Sequence, residues 1–170
     1  MRLSILCLTL LIRIATAAEW GPSVSGLRVS LAVEADTVVF TFENVRENRE
    51  MFLPLGQIVG VGRAEFIHLY LILPDGTRLQ LQYSGGFGVS PGRLLPFIVP
   101  MMAGSIYSVR TPLRNWRLGS NLDPIDPELS RGASLQADIL AGDSLQQEYV
   151  NCYGLQMFWS GQAVSNVVRH

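Results

Sequence analysis

Lysine is absent from this 170-residue chain: all thirteen basic side chains are Arg, against fourteen Asp and Glu. The two signs are interspersed, which excludes the clustered basic footprint of a nucleic-acid-binding surface. Cysteine is nearly absent, with Cys7 and Cys152 alone. Cys7 falls in a segment expected to be removed, so no intrachain disulfide is expected and stability must come from a buried core. Beside Tyr153 and the apolar run Leu155 to Trp159, Cys152 reads as a small buried hydrophobe rather than a cross-link between chains. Histidine occurs only as His68 and His170, which excludes a zinc site built from several imidazoles and leaves His68 as the sole internal candidate for a catalytic triad. Set in a strand between apolar neighbours, His68 reads as a rim residue. No Asn-x-Ser/Thr acceptor occurs, so a bacterial exported origin fits better than a glycosylated secretory one. No helical period persists beyond about two turns, and no stretch after the N-terminus approaches the roughly 20 apolar residues of a spanning helix.

What is present begins with an address. Arg2, the apolar run Leu3 to Ile12 and the small residues Ala15-Thr16-Ala17 have the layout of a secretory signal peptide, so 1–17 are expected to be cleaved and 18–170 to form one exported domain, periplasmic or extracellular. That remainder carries eleven Arg against fourteen acids and is long enough for a sizeable core.

The clearest element is Phe66 to Tyr83. Leu69, Leu71 and Leu73 alternate with His68, Tyr70 and Ile72, and Leu79, Leu81 and Tyr83 alternate with Arg78, Gln80 and Gln82. Pro74-Asp75-Gly76 between them supplies a fixed φ, a turn-favouring side chain and a residue free to take φ > 0, so the stretch reads as an antiparallel hairpin with one apolar face. A lone hairpin cannot hide that face, and other strands must cover it.

Those strands are legible by the same period of two. Leu27, Val29, Leu31 and Val33 share a face after Gly26, and Glu34-Ala35-Asp36 turns the chain into Val38 to Val45. Met51 to Leu55 is a short strand that Pro54 confines to an edge, and Leu94 to Val99 is another before a turn at Met101 to Ser105. Ile106 to Thr111 and Ala133 to Leu140 follow, with Leu135, Ala137 and Ile139 inward. Pro112 to Arg131 reads as loop with one helical turn at Pro127 to Ser130, and Gly154 to Trp159 and Ala163 to Val168 supply the last strands. Seven to nine short strands separated by turns point to an all-β antiparallel sandwich, with a closed barrel as the alternative.

Chemistry is sparse. Gly88-Val89-Ser90-Pro91-Gly92 matches the nucleophile elbow in letters, but Pro91 has no N–H to offer an oxyanion. Gly85 to Gly88 has the glycine content of a phosphate loop without the following Lys-Ser/Thr. Asp123, Asp126 and Glu128, with Asn121 and Asp143, are a candidate calcium set, although they lack the dense regular spacing of a calcium loop. Trp116 flanked by Arg114 and Arg117, together with Tyr153 and Trp159, form a candidate binding set, because exposed aromatics supply contact area at low entropy cost. No catalytic residue and no cofactor are assigned, since an enzyme would need carboxylates from separate loops to converge.

Trp20-Gly21, Gly26 to Val29, Val38 to Val45, the Pro-Asp-Gly hairpin, Pro96 to Pro100 leading to Ala103-Gly104 and Tyr107-Ser108, Gly154-Leu155, Trp159-Ser160-Gly161 and Ser165-Asn166 resemble uncharacterised exported proteins of environmental bacteria. The resemblance covers most of the chain and implies export and an immunoglobulin-like sandwich; its members continue past the Ser-Asn pair with another strand. Its motifs are strand and turn residues, so they carry fold rather than function. The expected role is therefore non-catalytic surface binding to a protein or glycan as an adhesion, scaffold or envelope accessory module. Two alternatives stand beside it: a protease inhibitor or sequestering protein using the Gly85 to Gly92 loop, and an enzyme of unknown class.

Overall fold

The computed structural model describes residues 19–54, 66–84, 98–119, 122–128, 130–141 and 158–169. The expected signal peptide, the Gly85 to Gly92 loop with Ser90, and Asn121, Asp143, Cys152 and Tyr153 lie outside the described residues.

Strand β1 (Leu27–Glu34) turns directly into β2 (Thr37–Asn44), with Leu31 opposite Phe40 and Glu34 opposite Thr37. Ala35 opens that turn at φ 52°, a left-handed conformation in which a Cβ is strained. β3 (Met51–Pro54) is the short strand that Pro54 ends. β4 (Ile67–Ile72) and β5 (Arg78–Tyr83) are the expected hairpin, with Leu69 opposite Leu81 and Leu71 opposite Leu79. Gly76 sits at φ 87°, and the Asp75 carboxylate accepts the Thr77 N–H at 2.8 Å. The Thr77 hydrogen bonds hold the Asp75 carboxyl below its ordinary pKa of 3.8.

β6 (Ile98–Met101) runs through Pro100, where an end before Pro100 was expected. Among the described residues it pairs only with β3, so Pro100 is exposed on a two-stranded ribbon and costs that ladder no buried hydrogen bond. β7 (Ile106–Pro112) follows. A 3-10 turn at Leu113–Asn115 leads into β8 (Trp116–Leu118), a strand within the region read as loop, too short to show a period of two. Around 127–130, Ser130 N–H donates to Asp126 C=O at 3.0 Å, the first of successive turns that continue with Arg131 N–H on Glu128 C=O and Ala133 N–H on Ser130 C=O. β9 (Ser134–Ala141), β10 (Gly161–Val164) and β11 (Val168–Arg169) complete eleven strands among the described residues. The excess over seven to nine comes from these short pieces.

The strands form three antiparallel sheets that do not close into a barrel: β1-β2-β7, β10-β9-β4-β5-β8 with β11 also on β9, and β3-β6. Among the described residues there is no α-helix. The inner faces of the first two sheets share one core. Leu27, Val29, Leu31, Phe40 and Phe42 come from one side, and Leu69, Leu71, Leu81, Leu135 and Ile139 from the other. Burying each such side chain contributes about 1.5–3 kcal/mol. Aromatic contacts join the sheets: Phe40 meets Trp116 at 5.7 Å between centroids, and Phe42 meets Phe66 at 6.5 Å.

Where one strand was expected from Ala163 to Val168, the chain makes two pieces. Val164 lies opposite Asp138, and the Ser165 N–H donates to Ala137 C=O at 2.9 Å. The next ladder partner is Val168 opposite Leu135, so one extra residue has entered this strand. This is a β-bulge at Asn166-Val167. It turns Val168 toward the core and leaves Val167 48 % exposed. It also frees Asn166 to reach across to β1, where its Oδ1 accepts the Leu31 N–H at 2.7 Å and its Nδ2 donates to Leu31 C=O at 3.0 Å. Gly21 packs at the same seam, donating its N–H to Val29 C=O, and a Cβ there would stand 1.8 Å from the Val164 carbonyl oxygen.

Candidate recognition face

Side chains of β4, β5 and β9 that do not enter the core emerge together on the outer face of the six-stranded sheet. The register sets Asp138 beside His68, and Gln136 beside Tyr70, which in turn faces Gln80. Alternation makes the face polar because every second residue of these strands is Leu, Ile or Ala and is used inside.

Asp138 is the centre of this face and the one charged residue buried among the described residues, at 4 % exposure. Arg78 reaches over β4 to donate from Nη2 to Asp138 Oδ1 at 3.1 Å, and Gln162 Nε2 donates to Oδ2 at 3.4 Å. On the way the Arg78 guanidinium lies 4.2 Å from the Tyr70 ring centroid, a cation–π contact. The arginine side chain remains 43 % exposed. The Gln80 amide approaches His68 Nδ1 at 2.8 Å, the imidazole tautomer deciding which group donates. Gln136 donates to Ser165 C=O at 3.3 Å. The result is a field of amides, one imidazole, one carboxylate and the cation of Arg78, linked by mutual hydrogen bonds and flanked by the half-buried Ile72 and Leu140. The large exposed apolar side chains, Val45, Met102, Ile106, Leu122 and Val167, are not on β4, β5, β8, β9 or β10.

The residues expected to bind are placed differently. Trp116 is 2 % exposed: its ring packs between Phe40 and Tyr83, and its indole N–H donates to Thr111 Oγ1 at 2.9 Å. Trp159 is 1 % exposed, edge-on to Phe66, with its N–H on Val24 C=O at 2.9 Å. Both indoles therefore belong to the core, and the stacking surface that exposure would have given is not formed by them. The physical reason is that an indole buries a large apolar area once its single N–H has an acceptor, and both have one. Arg114 is exposed on the 3-10 turn, apart from the polar face. Arg117, half-buried on β8 opposite Gln82, is the member of the set that the fold brings to that face.

Asp123, Asp126 and Glu128 are exposed and are not gathered as a ligand set: among the described residues no three His, Cys, Asp or Glu side chains could hold a metal ion. The Asp126 carboxylate instead accepts the Glu128 N–H at 2.8 Å, ordinary turn chemistry.

Sequence reasoning passed over Asp138, Arg78, Tyr70, Gln80 and Gln162. The available signal was Asp138 itself, the single charge of its strand, set between Ala137 and Ile139 and opposite the polar positions of the hairpin. The motif residues Gly21, Trp159, Ser165 and Asn166 meet instead at the seam between β1 and β10, where they shape backbone contacts. Among the described residues no helix is long and apolar enough to cross a membrane. Comparisons with protein-family models, curated proteins and solved structures gave no match.

Proposed function

We propose that this chain is an exported, non-catalytic β-sandwich of immunoglobulin-like type that works by surface binding, and that its binding surface is the polar face centred on Asp138. Two sheets sharing one core support the sandwich, and the signal-like N-terminus together with the resemblance to exported bacterial proteins supports the address.

The observation that carries the surface is the carboxylate of Asp138 kept buried on an outer face by Arg78 and Gln162. An ion pair whose cation stays half-exposed gives little net stability, so folding alone does not account for it. Protein–protein interfaces concentrate apolar and aromatic side chains at their centre. A face of glutamines, two arginines, a histidine, a tyrosine and an acid suits a polyhydroxylated partner better, because each hydroxyl both donates and accepts. The partner class favoured is a glycan of the envelope.

Affinity chromatography of the secreted form on immobilised envelope polysaccharide tests this. Retention is expected for the unaltered protein and loss for the Arg78→Ala/Gln80→Ala double variant with unchanged circular dichroism. No retention of the unaltered protein, or equal retention of the variant, overturns the reading.

A further inference from the structure

The outer edge of β1 raises an accounting question, since every second residue of an edge strand points its N–H and C=O away from its neighbour. In β1 these are Leu27, Val29, Leu31 and Val33. Leu27 exchanges hydrogen bonds with Val24 at 2.8 and 2.9 Å, Val29 C=O takes the Gly21 N–H at 2.8 Å, and Leu31 is served on both groups by the Asn166 side-chain amide. The last contact differs in kind. One side-chain amide accepts from and donates to the same residue, which is what the backbone of an antiparallel strand does at a hydrogen-bonded pair. Asn166 thus stands where a peptide group of an added strand would stand.

We propose that the edge of β1 is a strand-pairing surface for a second copy of this chain, held shut by Asn166. Two β1 edges brought together antiparallel about a two-fold axis, with Leu31 against Leu31, satisfy the same groups by an isologous contact. That register sets Arg28 of each copy opposite Glu34 of the other, opposite charges on one face of the strand. Both side chains are accessible for it: Arg28 is 36 % and Glu34 56 % exposed while paired within the chain to Glu43 and Arg110. Opening the edge requires the segment from Asn166 and the Trp20-Gly21 stretch to swing aside together, since Gly21 N–H sits on Val29 C=O and the Arg28 guanidinium lies 4.6 Å from the Trp20 ring centroid. β11 is two residues long and held by Val168 against Leu135 and Arg169 against Ser134.

The test is the mass of the secreted form in solution, under reducing conditions, across a concentration series by light scattering. Asn166→Ala removes two hydrogen bonds that keep the edge shut, so dimerisation about tenfold or more tighter than in the unaltered protein is expected. Adding Glu34→Arg, which sets Arg against Arg across the axis, is expected to return the variant to monomer, and Arg28→Glu/Glu34→Arg to restore the dimer. The Leu31 amide should exchange with solvent more slowly as the concentration of the Asn166→Ala variant rises. Should Asn166→Ala fail to fold, Asn166→Asp keeps the shape, sets an oxygen against Leu31 C=O and is read in the same way. Unchanged mass with a lowered melting temperature, or a dimer indifferent to the charge reversals, overturns the proposal.

Discussion

Asn44 offers the sharpest test of how the β3-β6 ribbon is held to the β1-β2-β7 sheet. It ends β2, is fully buried, and makes three side-chain hydrogen bonds: Nδ2 donates to Arg49 C=O at 2.8 Å and to Met101 C=O at 2.9 Å, and Oδ1 accepts the Arg46 N–H at 3.0 Å. Its backbone is engaged as well, with the N–H on Ser105 C=O and the C=O accepting from Gly104. One side chain therefore ties the end of β2 to β6 and to the segment before β3. Asn44→Ala deletes all three bonds. At about 1 kcal/mol net for each bond, the cost is about 3 kcal/mol, and leaving the Met101 carbonyl unpaired in the interior guards that figure from below. For a domain of this size about 3 kcal/mol corresponds to a fall in melting temperature of roughly 6–12 °C. Asn44→Asp separates this account from a simple packing effect. The aspartate keeps the acceptor for Arg46 but points a carboxylate at two carbonyl oxygens, so it is expected to destabilise more than alanine despite its closer shape. Urea unfolding followed by the fluorescence of buried Trp116 and Trp159 measures both. A cost below about 0.5 kcal/mol for Asn44→Ala, or an aspartate variant as stable as the alanine one, refutes the reasoning.

Ala35 is held at φ 52°, so Ala35→Gly relieves about 1–2 kcal/mol of left-handed strain and gives back about 0.4–1 kcal/mol to the unfolded chain. A gain of up to about 1.6 kcal/mol is expected in thermal unfolding, and a loss shows that the turn is not the one described. Arg78→Met leaves the Asp138 carboxylate without its cation and is expected to cost about 1–3 kcal/mol, whereas Arg110→Met breaks a pair with Glu34 exposed on both sides and should cost under about 1 kcal/mol. Equal losses in chemical denaturation contradict the contrast. Asp75 has its carboxyl pKa lowered by the Thr77 hydrogen bonds, so its contribution to the hairpin is present above pH 3.8 and is lost as pH falls through the lower folded value. Asp75→Asn keeps an acceptor and should flatten that acid limb; an unchanged stability profile between pH 6 and about 2 removes this role for the carboxylate.

Local pattern made the strands legible. In the β4–β5 hairpin, alternating leucines and Pro74-Asp75-Gly76 specify faces, turn and register within eighteen residues, and the structure pairs Leu71 with Leu79 accordingly. β8 escaped because three residues carry no period, and β6 ran on because a proline at the rim of a two-stranded ribbon removes nothing the sheet uses. The recognition face was half legible. Its hairpin side chains stood at the polar positions, but Asp138 meets them only through a pairing 62 to 72 residues apart in sequence.

Sequence alone determined the strand class, the inward rows and the tight turns of this protein, since these depend on side-chain alternation and on backbone freedom over a few neighbouring residues. Tertiary structure decided which aromatics are walls and which groups are surface. The indoles of Trp116 and Trp159 went inside because Thr111 and the Val24 carbonyl were there to accept their N–H groups. Asp138 stayed charged-partnered on the outside because Arg78 arrives from two strands away. A one-residue bulge aimed Asn166 at the backbone of Leu31, a contact 135 residues apart in the chain. Those outcomes turn on partners supplied by distant segments, and no local pattern carries that information.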